Sequence, residues 1–372
     1  MTILRFLIVL TLFIGSGTVY AIGNHWHPFD AILEYRQEHQ YRERRVDTDL
    51  AIEIAEEVFL NGIKHSINIR GEDKSNPVVL FLHGGPGFTM LPFAYQATRS
   101  WEKEFTVVHW DQRGAGKTQC HNPDYDFTKA SFSDYLEDAK ALVSYLRQRL
   151  GIDKLIIVGH SWGSVLGVHL AKEIPESISA YVGTGQVIYG WEAAGSSYRF
   201  ALRQAYSAND KEAIDKLSSL SPYPRESNYI DEYLLVLNYV LRFGGSVYNE
   251  SGYSHFFQNA FFQSPDYSLE DWGCWLKINS YVNKKLLNEI FDRDSTVGNI
   301  NKLGYRFEMP FFLILGAQDE HVSSRLSGNY FLKVKAPLKE MYYIDQAAHF
   351  VPLEQPTRFY QLLRERVKPS VK

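Results

Sequence analysis

Short, uninterrupted apolar runs alternate with segments of helical spacing along much of this chain, and that rhythm predicts the architecture. Val78–Leu82, Phe105–Trp110, Leu155–Val158 and Ala180–Val182 are apolar runs of strand length. Between the second and third, Tyr135, Ala139, Leu142, Val143, Leu146 and Leu150 share one face of a helix predicted over 132–150. Another helix is predicted over 161–174. Strands apolar on both faces and separated by helices belong in a parallel sheet covered on both sides. Upstream, Glu57–Leu60 and Ile63–Arg70 flank Asn61-Gly62, the strongest short signal for a two-residue hairpin. The rhythm stops near Tyr189 and resumes at Met309-Pro310. The stretch between is helical and rich in Tyr and Phe, and reads as an inserted cap over 188–305. A strand at Phe311–Leu315, a helix over 324–334, a strand at Met341–Ile344 and a closing helix over 357–367 complete the pattern. Residues 56–187 and 306–372 are therefore expected to form one α/β core interrupted by a helical cap.

The N-terminus carries a different pattern. Arg5 precedes the apolar run Phe6–Ile14, and Val19-Tyr20-Ala21 offers compact residues at a cleavage position. These are the parts of a secretory signal over 1–21. The run falls short of the roughly 20 apolar residues a membrane span needs, so an exported protein with no stable span after cleavage is expected; an uncleaved anchor is the alternative. Residues 22–55 read as a charged, helical leader. With 39 basic and 43 acidic residues the net charge is −4, which leaves no basic footprint for nucleic acid. The two cysteines, Cys120 and Cys274, make no disulfide framework and are expected to be free and buried. An exported location would permit one bridge, tying the loop after a core strand to the insertion. Aromatic residues reach 15%, many of them inside the insertion. They suit both core packing and a ring-lined binding cleft.

The candidate chemistry starts at Gly159-His160-Ser161-Trp162-Gly163, placed directly after an apolar strand and before a helix. This is the context of a nucleophile elbow, in which small flanking residues admit a strained serine and the helix N-terminus faces the site. Ser161 needs a base, and in folds with this elbow the chain order is Ser, acid, His. Asp319 follows the strand Phe311–Leu315, and His349 follows the last strand; both fall at carboxyl ends of parallel strands. His349 is the expected base and Asp319 its orienting acid. Among their neighbours, which include Glu320, Asp345 is expected to cap its loop, and His321 to stand behind the site residues or on the surface. An oxyanion would be held by the N–H of Trp162 and by one from His83-Gly84-Gly85-Pro86-Gly87, with Gly85 the first choice and Gly84 the alternative. Asp111 and Arg113 are expected to hold the loops around the site.

His83-Gly-Gly-Pro-Gly87, Asp111-Gln-Arg-Gly-Ala-Gly116 and Gly159-His-Ser-Trp-Gly-Ser164 together resemble the proline iminopeptidase (prolyl aminopeptidase) family of α/β-hydrolases, from about Glu57 to the C-terminus. The resemblance implies an α/β-hydrolase fold, release of an N-terminal residue from a small peptide substrate, and no metal or organic cofactor. His160, and Phe88-Thr89 after the oxyanion loop, depart from the family's common glycines. An aminopeptidase must also hold an α-ammonium group, for which cap glutamates serve in the family. Glu192 is the expected counterpart here, with Glu232, Glu270 and Asp271 as weaker candidates. The expected function is a serine aminopeptidase that releases proline or another small residue. The alternatives are a carboxylesterase or amidase, and a non-catalytic binding protein on the same scaffold. A serine at the nucleophile position excludes the epoxide hydrolase and haloalkane dehalogenase chemistries of this fold, which need an aspartate there.

Overall fold

A computed structural model describes residues 48–225, 229–278 and 283–371. The predicted signal and most of the leader lie outside the described residues. The strands are β1 (Ile52–Leu60), β2 (Ile63–Gly71), β3 (Val78–Leu82), β4 (Thr106–Asp111), β5 (Leu155–His160), β6 (Ile178–Thr184), β7 (Phe311–Gly316) and β8 (Lys339–Ile344). They form one sheet in the order β1-β2-β4-β3-β5-β6-β7-β8. β1 and β2 pair antiparallel, as do β2 and β4, and every other pairing is parallel.

The apolar runs are explained by burial on both faces. Along β3, Val78, Leu80 and Leu82 enter one core with Leu142 and Val165, while Val79 and Phe81 enter the other with Trp101 and Phe359. Alternate side chains of a strand point to opposite faces, so a strand covered on both sides must be apolar throughout. Asn61 and Gly62 turn the β1–β2 hairpin at φ +46° and +86°, the left-handed conformations that such a two-residue turn requires. β1 starts inside the stretch read as a helical leader. Ile52 and Ile54 alternate with charged or small residues at the period of a strand, and charge density along 30–55 hid that alternation.

Between β6 and β7 stand the helices Gly190–Ser207, Lys211–Ser218, Tyr229–Arg242, Ser254–Gln263, Leu269–Ile278 and Lys284–Phe291. The first three share a small core of their own around Phe200, Leu217 and Val236. No helix among the described residues is long and apolar enough to cross a membrane.

The expectation of free cysteines is corrected: Cys120 and Cys274 form a disulfide across 154 residues of sequence. Sequence distance concealed their proximity. The cap helix Leu269–Ile278 packs on the short helix Gly116–Cys120, where Lys117 also meets Asp271 at 3.1 Å. Closing so long a loop restricts the unfolded chain, so replacing both cysteines by serine is expected to remove stability on the order of 3–5 kcal/mol. Chemical denaturation of the pair variant beside the oxidised protein would show it as a lower midpoint. An unchanged midpoint would mean the bridge does not restrain unfolding.

Candidate active site

Ser161 sits where β5 ends and the helix Trp162–Glu173 begins, with φ +53° and ψ −121°. That backbone is costly for a residue with a side chain, and persists only where its surroundings hold it. Two features do so. Ser161 N–H donates to the Thr184 carbonyl at 3.0 Å. The Ser164 hydroxyl donates to the Ser161 carbonyl at 2.6 Å and accepts from Val187 N–H and the Gln186 amide. Gly163 makes the turn possible, because a Cβ there would run into the Leu82 carbonyl.

His349 follows β8, and its Nδ1 lies 2.9 Å from Oδ2 of Asp319, which follows β7. The other carboxylate oxygen of Asp319 accepts from the N–H groups of His321 and Val322 at 3.0 and 2.9 Å. Burial pushes the His349 imidazole down to about 3, so it rests neutral. Burial also pushes Asp319 up to about 7, against the pull of the Val322 and His321 N–H groups. Asp345 is exposed, whereas Asp319 is buried and bonded to the imidazole. Of the two places expected for His321, it takes the one behind the site residues: its ring stacks on that of His349 with centroids 4.1 Å apart and planes 7° from parallel.

The oxyanion candidates lie on the same side. Gly84 and Gly85 line the cavity that holds Ser161, Trp162 and His349. A Cβ on Gly84 would sit 3.2 Å from the Ser161 Cβ, so this loop passes directly over Ser161. One buried residue that the sequence reading passed over, Gln112, ties these parts together. Its backbone N–H and side-chain amide donate to His83 Nε2 and the His83 carbonyl, each at 3.0 Å. Its side-chain oxygen accepts from the Trp162 indole at 2.8 Å. Gln112 thus links the His83–Gly87 loop to the first residue of the helix that follows Ser161. On either side of it, Asp111 accepts from Thr89 Oγ1 and Lys117 N–H, and Arg113 pairs with Asp138 through two bonds of 2.7 and 2.8 Å.

The cavity over Ser161 has a volume of about 280 Å³ and is walled mainly by apolar side chains. Phe88, Phe93, Phe257 and Phe350 form one side; the cap residues Tyr233, Leu237 and Phe291 form another. The expectation for Glu192 is corrected. It is exposed on the helix Gly190–Ser207, while its neighbour Ala193 lines the cavity. Consecutive helical residues point about 100° apart, so seating Ala193 inward turns Glu192 to solvent. Glu232 is paired with Arg225, Asp271 with Lys117, and Glu270 is exposed. Among the described residues that line the cavity there is no carboxylate.

A family model for the alpha/beta hydrolase fold matches residues 77–356. The chain belongs to this family. A probable aminopeptidase of Bacillus subtilis, YbaC, is 25% identical over 321 residues, spanning 86% of this chain and 97% of the relative. A probable proline iminopeptidase of Streptomyces coelicolor is 32% identical over 163 residues, only 46% of its own length. Among solved structures, the proline iminopeptidase of Mycobacterium smegmatis superposes with a TM-score of 0.56 at 17% identity, covering 85% of this chain and 98% of that one. At that identity the likeness speaks for the fold alone.

Proposed function

We propose that this α/β-hydrolase is an exported serine aminopeptidase that releases an apolar first residue from short peptides through an acyl-enzyme. The observation that carries the catalytic part is the buried His349–Asp319 hydrogen bond of 2.9 Å beside a cavity shared by Ser161 and His349. In this reading His349 Nε2 takes the Ser161 proton as the hydroxyl attacks the scissile carbonyl. Asp319 steadies the imidazolium. The Gly85 and Trp162 N–H groups receive the oxyanion. His349 then gives its proton to the leaving amine; in deacylation it takes a proton from the water that attacks the acyl carbon, and returns that proton to Ser161 Oγ as the acyl–oxygen bond breaks. The names of the relatives support the aminopeptidase choice, and the apolar cavity suits an apolar first side chain. The Cys120–Cys274 bridge supports the exported location, because disulfides persist in oxidising compartments.

A second reading, a carboxylesterase or amidase for uncharged acyl groups, is favoured by the lack of a carboxylate among the described residues lining the cavity. A buried ammonium without a partner is costly, whereas an uncharged acyl group meets no such penalty there. Amine dependence separates the two. Proline p-nitroanilide and leucine p-nitroanilide are assayed beside their N-acetylated forms and p-nitrophenyl acetate. The aminopeptidase reading expects cleavage of the free-amine anilides and loss of most activity on acetylation. Cleavage of acetylated and free forms alike, or of the ester alone, would transfer the assignment to the second reading.

A further inference from the structure

Ser161 and His349 are held in different ways. Ser161 is fixed by the sheet itself, through the carbonyl of Thr184 at the end of β6. The His349 loop meets the core through His160 Nε2 against the His349 carbonyl and through Gln318 N–H donating to the Ala347 carbonyl, each at 3.0 Å, while its N–H groups from 348 to 350 hang on one carboxylate and on the cap. Glu354 Oε2 accepts from Ala348 N–H at 3.0 Å, and Oε1 accepts from Phe350 N–H at 2.8 Å. The N–H between them, of His349 itself, donates to the carbonyl of Ser246 in the cap at 3.1 Å. Glu354 Oε2 also accepts from Tyr248 N–H of the same cap segment, at 2.8 Å.

The segment 245–248 grips the acid loop too. The Gly245 carbonyl accepts from the N–H groups of Glu320 and His321 at 3.0 and 3.2 Å. The Ser246 hydroxyl lies 3.1 Å from Nδ1 of His321, whose ring is stacked on His349. Three loops that are distant in sequence therefore meet at one point: the acid loop, the histidine loop and the cap.

We propose that Glu354 is a positioning residue for the His349 base, acting with cap segment 245–248 so that the cap forms part of the catalytic geometry. This rests on the reading of Ser161, His349 and Asp319 as the catalytic set. Consecutive N–H groups from 348 to 350 are a short lever under the imidazole. Releasing two of them lets the ring shift, and a shift on the order of 1 Å in a reacting group can cost as much as about 100-fold in rate. Glu354 touches neither the substrate nor the reacting atoms, so the effect falls on serine activation and spares substrate binding.

The test compares Glu354→Ala and Glu354→Gln with the wild type in the full chain. The readouts are the rate of Ser161 labelling by a fluorophosphonate probe, kcat and KM on the best chromogenic substrate, and the thermal midpoint. Glu354→Ala is expected to label at least about tenfold more slowly while folded, with KM changed less than about twofold. Glu354→Gln keeps one acceptor oxygen and is expected to fall between. A folded Glu354→Ala protein that labels at the wild-type rate overturns the proposal, whatever its thermal midpoint. If the alanine variant does not fold, wild-type labelling of Glu354→Gln overturns it. Failure of the underlying catalytic reading would look different: the wild type itself would resist the probe, or Ser161→Ala would still turn over.

Discussion

Ser161→Ala is expected to lower kcat by about 10⁶-fold, to the residue of catalysis left by binding and oxyanion stabilisation. Alanine retains the Cβ, so the turn at φ +53° keeps its strain, and the thermal midpoint should stay close to that of the wild type. Ser161→Gly makes a useful partner. It removes the same hydroxyl but also the Cβ that makes this conformation costly, so it should be equally inactive and somewhat more stable than the alanine variant. Turnover and thermal melting on the three proteins check both points. Activity in Ser161→Ala above about 1% of wild type would show that another group carries the reaction, far above what a lost nucleophile allows. Equal midpoints for the alanine and glycine variants would show that the strained turn is not a reservoir of instability.

The parts of this molecule that were legible in its sequence are those where one physical constraint acts on consecutive residues. A strand buried on both faces must be apolar at every position, so β3, β5 and β7 could be read directly. A turn that admits no Cβ two residues after Ser161 must have glycine there, and Gly163 meets that demand. The failures have the opposite character. Whether a helix turns Glu192 or Ala193 toward a cavity depends on how the helix is docked, which its own residues do not fix. The Cys120–Cys274 bridge depends on where the cap helix Leu269–Ile278 lands, 154 residues from its partner. Gln112 lies within the Asp111–Gly116 motif, in which its charged neighbours Asp111 and Arg113 are the expected loop supports. A buried amide bonded to His83 and Trp162 has no signature beyond its position after a strand. The cap emerged as an insertion because the strand rhythm ceased. That it also holds the acid and histidine loops through Gly245 and Ser246 follows from tertiary contacts alone.

The acid of the proposed catalytic set yields the second large effect. In Asp319→Asn the side-chain oxygen can keep the bonds from His321 and Val322 N–H, which hold the loop, so the fold should survive. The amide nitrogen then faces His349 Nδ1 across the 2.9 Å contact, and it can only donate. Nδ1 must become the acceptor, which moves the ring proton to Nε2 and leaves that nitrogen unable to take the Ser161 proton. The expected result is a fall in kcat of about 10⁴-fold with little change in KM. Stability is expected to change in the opposite direction to activity, or not at all. Burial disfavours the Asp319 carboxylate, and the neutral amide carries no such penalty. Steady-state kinetics and thermal melting of the one variant test both statements. Near-wild-type kcat would remove Asp319 from the catalytic set. A collapse of the midpoint together with kcat would mean that Asp319 serves the loop more than the base. The predicted combination, an intact and catalytically silent protein, requires that the carboxylate act through the tautomer of His349.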